Sequence, residues 1–219
     1  MTTAVMLKNV RLSFPDLFEP REYEKGDGKG RFSETLLIKP GSDNDKAIRE
    51  AIAKECKEKL GAKWEAKMKT YMGDSNKCCY RDGDAMNNEH FEGHMILAAH
   101  RRAADGPPRV ISRGKKAFTV VEGKPYANPD PAVKSELDMS LVKEIPYSGC
   151  YVNTKVEIYV QGGDYPGIRC SPLVVQFAGD GDAFAGRPVS DKDAEEFEDL
   201  SDGADAEDDS DEDFSKYTE

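Results

Sequence analysis

Between Tyr151 and Val160 apolar and polar residues alternate without a break. Val152, Thr154, Val156, Ile158 and Val160 fall on one face, and Tyr151, Asn153, Lys155, Glu157 and Tyr159 on the other. The pattern predicts a half-buried strand. A Gly-, Asp- and Pro-bearing turn at 161–167 leads into a second run, Ile168 to Phe177, and the two together read as an antiparallel hairpin. Leu173, Val175 and Phe177 are expected on its buried face, while Pro172, which lacks an amide proton, marks an edge or a bulge.

Alternation also runs through residues 4–14, but its phase slips near Lys8 and Asn9: Val5 and Leu7 are odd, whereas Val10, Leu12 and Phe14 are even. A first strand with a bulge accounts for that. Residues 19–30 read as a charged, Gly-rich loop and Arg31 to Lys39 as a second strand. From 43 to 60 the period changes to that of a helix, capped by Ser42 or Asp43 and ended by Gly61, with Ala47, Ile48, Ala51, Ile52, Cys56 and Leu60 on one face. A second helical stretch, Lys63 to Met72, holds Trp64, read here as a core anchor. Gly93 to Arg102 and the short run at Phe118 to Val121 read as further strands. The fold class is mainly β with one or two helices.

Charge divides the chain. The whole carries a formal −11, yet residues 191–219 alone hold 15 acidic side chains against Lys192 and Lys216, so residues 1–190 carry +2. Two units are expected: a folded domain over 1–190 and a disordered acidic tail over 191–219. Within the body, the stretch from His100 to Tyr126 has a local net of +5. It reads as a basic fringe suited to a phosphate backbone. No apolar run is long enough to span a membrane and the first residues lack the regions of a signal peptide, so a cytoplasmic location is expected. Five scattered cysteines point to reduced thiols.

Aromatic rings interleaved with cations suit a single-stranded nucleic acid, which offers base faces to stack and phosphates to pair. Arg101, Arg102, Arg109, Arg113, Lys115, Lys116 and Lys155 are the candidate phosphate contacts, and Tyr126, Tyr151, Tyr159 and Tyr165 the candidate stacking rings. In the acidic segment Phe214 and Tyr217 are the candidate partner-docking residues. Metal chemistry is disfavoured, because the adjacent Cys78 and Cys79 are poorly spaced to chelate one ion with His90 and His94. Asp82, Asp84 and Glu89 lack a nearby nucleophile or base at definite spacing for a nuclease. Neither a cofactor nor catalysis is expected.

Three elements in the region from Tyr147 to Gly186, YSGCYV, GI-C--L--VQ and G--FAGR, together with RDGD at Arg81 to Asp84, resemble a phage-encoded family of single-stranded DNA-binding proteins. That family is similar to T7-type replication proteins. The resemblance implies an OB-fold (a five-stranded Greek-key barrel), sequence-tolerant binding to single strands in replication or recombination, an acidic tail that contacts partner proteins, and a possible homodimer. In acidic-tailed relatives a phenylalanine ends the chain, whereas here SKYTE follows Phe214. RNA binding is a variant of this expectation. The alternative is an acidic DNA mimic that blocks a host nucleic-acid enzyme.

Overall fold

The computed structural model describes residues 2–22, 29–127 and 136–184. The expected acidic tail and its Phe214 and Tyr217 lie outside these residues. Among the described residues one sheet runs in the order β3-β4-β2-β1-β9-β10-β5-β6-β7-β8. Its strands are β1 (Thr3–Arg21), β2 (Arg31–Ile38), β3 (Tyr80–Asp82), β4 (Met95–Arg102), β5 (Arg109–Ile111), β6 (Ala117–Val121), β7 (Lys124–Ala127), β8 (Glu136–Leu137), β9 (Tyr151–Gln161) and β10 (Gly167–Gly179). Helices α1 (Asp43–Leu60) and α2 (Trp64–Met72) lie between β2 and β3.

Five of the strands close into a barrel. β4, β2, β1, β9 and β10 pair antiparallel in that order, and the segment before β3 bridges the two ends. The Ile168 amide donates to Lys77 O at 2.7 Å, the Cys79 amide to Ile168 O at 3.0 Å, and the Ala98 amide to Cys79 O at 2.9 Å. Leu12, Leu36, Leu97, Val152, Ile158, Ile168 and Phe177 fill the interior. α1 packs Ile48, Ile52 and Cys56 into the same core. It begins as its sequence implies, with the Ser42 hydroxyl accepting the Asp45 amide, and ends at Gly61 with φ 69°. Trp64 is partly buried against the core, in keeping with an anchor. Strands β5–β8 form an arm on the barrel, β5 pairing parallel with Val174 to Gln176 of β10.

Of the five register shifts among the described strands, three decide which of the residues considered above face inward. In β1, Lys8 and Asn9 lie opposite the single residue Asn153, because register passes from Leu7↔Thr154 to Val10↔Val152. Asn9 takes φ 50° there and its amide donates to Asn153 Oδ1 at 2.9 Å. This is the slip that the sequence predicts. A second bulge was not legible: Phe14 and Pro15 lie opposite Glu34, between Ser13↔Thr35 and Asp16↔Ser33. It corrects the expectation that Phe14 shares a face with Val10 and Leu12, for Phe14 is 59% exposed at φ 46°. The third bulge lies between Pro172 and Val174, so Leu173 is the extra residue and not a partner of buried Val175 and Phe177.

All five cysteines are buried free thiols, and burial pushes the Cys56 and Cys150 thiols up to about 11. Inside the barrel sits one carboxyl, Glu34, fully buried and 2.9 Å from the Thr154 hydroxyl. Burial raises its pKa to about 8, so it is neutral at pH 7.

Candidate nucleic-acid interface

Alternation puts Arg31, Ser33, Thr35 and Leu37 of β2 and Ile96, Ala98, His100 and Arg102 of β4 on the outer face of the barrel. At one end of that face cations gather. Arg31 lies opposite Arg102 and Ser33 opposite His100, while on the neighbouring hairpin Arg169 lies opposite Tyr159. Loss of surrounding water, then the charges of Arg31, Arg81 and Arg169, hold the His100 ring below the ordinary imidazole pKa. Burial raises the Tyr159 phenol, and the nearby Arg169 and Arg102 cations oppose that shift.

The arginines of this end are fixed in place. Arg169 donates to Asn76 O at 2.8 Å and to Tyr165 O at 3.4 Å, tying the closing segment to the β9–β10 turn. Arg102 makes a bidentate pair with Asp105 at 2.8 and 3.0 Å. Arg81 donates to Ser75 O at 3.3 Å and leaves its buried Nε without a partner. Tyr165, 76% exposed, stands in the adjoining turn.

The sequence-derived candidates thus separate into groups. Arg102, Tyr159 and Tyr165 meet at this end, in company with Arg31, Arg81, His100 and Arg169. Arg31, Arg81, His100 and Arg169 were missed, although counting back across the 161–167 turn would have set Arg169 opposite Tyr159. Arg101 is turned elsewhere: its guanidinium clasps Gly106 O at 2.8 Å and Asp105 O at 2.6 Å. Arg109, Arg113, Lys115 and Lys116 stand beside the other end of β10, where Arg109 is in register with Val174. That is five residues beyond Arg169, roughly 15 Å along the strand.

A relay of amides holds this second basic turn to the barrel. Asn153 Nδ2 donates to Gln176 Oε1 at 3.1 Å, and Gln176 Nε2 donates to Ser112 O at 3.3 Å and Arg113 O at 3.2 Å. Arg113 lies over the Phe177 ring at 5.1 Å and 3.5 Å from Asp180 Oδ2. Lys116 pairs with Asp138, whereas Arg109 and Lys115 are exposed. Tyr126 belongs to the arm, half-buried opposite Thr119. Lys155 is exposed on β9 between Met6 and Val174.

Tyr151 lies at the far end, under a clasp that no local pattern announced. Residues Asp180 to Phe184 run back over the barrel. Tyr147 Oη donates to Gly181 O at 2.9 Å and accepts the Gly181 amide at 3.0 Å, and Arg11 donates to Asp182 O at 2.7 Å. The Phe184 ring stacks on His90 at 4.5 Å and lies under the Arg11 guanidinium at 4.5 Å, packed on Leu37, Phe91 and Ile96. Arg11 also lies 5.6 Å from the Tyr151 ring.

The RDGD stretch has a structural role. Asp82 Oδ1 accepts the Asp84 amide at 3.1 Å, Asp84 Oδ1 accepts the Gly93 amide at 2.6 Å, and a Cβ on Gly83 would lie 2.2 Å from Phe91 O. Among the described residues no group of three or more His, Cys, Asp or Glu is placed to hold a metal ion. None of the described helices is long and apolar enough to cross a membrane.

A five-stranded barrel of this closure is an OB-fold, a class whose ligands bind on the outer face of the second and third barrel strands and the adjoining loops. Here that face is the one formed by β2 and β4. The chain belongs to the family described as Enterobacter phage Enc34, ssDNA-binding protein, whose family model matches residues 3–214. That family is one of binding proteins and not of enzymes. The chain is 34% identical over 202 residues to putative protein p50 of Acyrthosiphon pisum secondary endosymbiont phage 1, covering 90% of this chain and 94% of that one. It is also similar in fold to the single-stranded DNA-binding protein from bacteriophage Enc34 in complex with ssDNA, with a TM-score of 0.60, 22% identity and coverage of 83% of this chain and 89% of that one. A second structure of the single-stranded DNA-binding protein from bacteriophage Enc34 matches with a TM-score of 0.57 at 22% identity over 88% of this chain and 89% of that one.

Proposed function

We propose that this protein binds single-stranded DNA with little sequence preference in the host cytoplasm, during phage replication or recombination. Membership of a family described as ssDNA-binding, matched over residues 3–214, carries the reading. The cationic, aromatic end of the outer face supports it. Arg31, Arg102 and Arg169 contact phosphates and Tyr159 and Tyr165 stack bases, with Arg109, Arg113, Lys115 and Lys116 extending the track. The acidic residues 191–219 compete with DNA for these cations and dock partner proteins through Phe214 or Tyr217, as a tethered polyanion at high effective concentration would.

The test is fluorescence anisotropy of a labelled oligo-dT with the full chain and with residues 1–190 across a salt series. Tighter binding by the shorter form, with a steep salt slope in both, is expected. Absence of binding by both overturns the reading and favours an acidic mimic that acts on a protein. Arg169→Ala is expected to weaken binding by a similar factor on every sequence and to lower the salt slope by about 1. An unchanged slope would remove Arg169 from the phosphate track.

A further inference from the structure

At Phe14 the fold explains the backbone, which turns at a bulge, but not the choice of residue. A bulky aromatic at φ 46° is a backbone outlier that costs about 1–2 kcal/mol. The bulge accounts for the left-handed backbone, since another bulge of the same strand is turned by Asn9 at φ 50°, but it does not demand an aromatic there, where Asn or Gly adopts this region readily. Nor does burial offset the cost, because Phe14 remains 59% exposed. Strain retained on an exposed ring points to a ligand for that ring.

The surroundings name the ligand's chemistry. Ser148 Oγ accepts the Phe14 amide at 3.3 Å, and the ring meets Phe91 edge-to-face at 6.1 Å and 83°, while the side chain stays largely open to solvent. Phe91 in turn packs on Leu37 and Ile96, so the Phe14 ring stands on the outer face of β2 and β4. By register it lies between the Phe184 clasp at Leu37 and the cations at Arg31 and Arg102. An exposed aromatic ring with cations further along the same surface matches an unpaired nucleobase with its phosphates.

We propose that Phe14 is a stacking platform for one base of a bound single strand. This rests on the reading of the protein as a single-strand binder, and the test separates the two. Full-length Phe14→Gly relieves the backbone strain, so its melting temperature is unchanged or raised. Its affinity for oligo-dT falls roughly ten-fold. The slope of affinity against salt stays the same, because no charge is lost. Phe14→Tyr retains most of the affinity. In Phe14→Trp the emission gained over the unaltered chain is quenched on saturation with oligo-dT.

Equal binding by the unaltered chain and Phe14→Gly, or an unquenched indole at position 14, overturns the proposal and leaves the reading standing. Loss of a protein partner by Phe14→Gly with oligo-dT affinity intact overturns it as well and assigns the ring to a protein contact. No binding by the unaltered chain overturns both.

Discussion

Raising the pH from 5 to 8 is expected to destabilise the unaltered protein by about 4 kcal/mol through Glu34 alone, and to have no such effect on Glu34→Gln. The carboxyl lies inside the barrel, where burial lifts its pKa from 4.5 to about 8. Below pH 4.5 the folded and unfolded chains both hold the proton and the residue is neutral in the balance. Between 4.5 and 8 the unfolded chain releases it while the folded chain keeps it, so stability falls with rising pH by about 1.4 kcal/mol per unit. Above 8 the loss is complete.

The hydrogen bonding is consistent with a protonated side chain. The Thr154 hydroxyl has one proton and lies 2.9 Å from Glu34 Oε1 and 3.1 Å from Val174 O. A protonated Glu34 can donate to Thr154, which then donates to Val174 O. Glu34 Oε2 has no partner in the structure. Glutamine keeps the donor but brings a second amide hydrogen into the barrel, at a cost of about 1–2 kcal/mol. The two stability curves therefore cross: the unaltered chain is ahead at pH 5 and Glu34→Gln is ahead at pH 8. Urea unfolding at those two pH values decides it, and parallel pH profiles for the two proteins would assign the dependence to other groups.

Gly149→Ala is expected to lower stability by at least about 3 kcal/mol and to open the clasp. Gly149 has φ 106°, and a Cβ there would lie 2.0 Å from Asp182 O and 2.9 Å from the Ala183 Cα. Backbone strain and collision act together, so either Gly149 or the 180–184 segment must move. If the segment moves, the Phe184 ring leaves His90 and Arg11. A fall of roughly 10 °C in melting temperature, with new protease sensitivity near residue 182, is the expected readout. Tyr147→Phe is the milder comparison: it removes the hydroxyl that both donates to and accepts from Gly181, which is worth about 1–2 kcal/mol. A Gly149→Ala protein as stable as the unaltered one would show that the clasp does not hold this backbone in solution.

What the residues disclosed in advance depended on range. Regular alternation in β9, the period and caps of α1, and the first bulge of β1 are local patterns, and each was legible. The second bulge was not, because apolar Phe14 completes an even-numbered run that the backbone then interrupts. Leu173 misled in the same way, with a proline one position earlier as the only sign. The outer face was half legible. Arg102 and Tyr159 stood out by type, but Arg81 and Arg169 join them only through barrel closure between segments some ninety positions apart. Arg101 illustrates the reverse, a cation in a basic run whose guanidinium is taken up by the backbone carbonyls of its own turn.

The long first strand has a consequence for how the chain is made. Its second half pairs with β2, where Arg11 meets Leu37 only 26 positions later. Its first half has no partner until β9, where Thr3 meets Ile158. At about 5–20 residues per second, a ribosome takes roughly 5–25 s to pass from residue 37 to residue 151. Throughout that interval Val5 and Leu7 belong to an open edge of a growing polypeptide, and the barrel becomes whole only once β9 and β10 have been made.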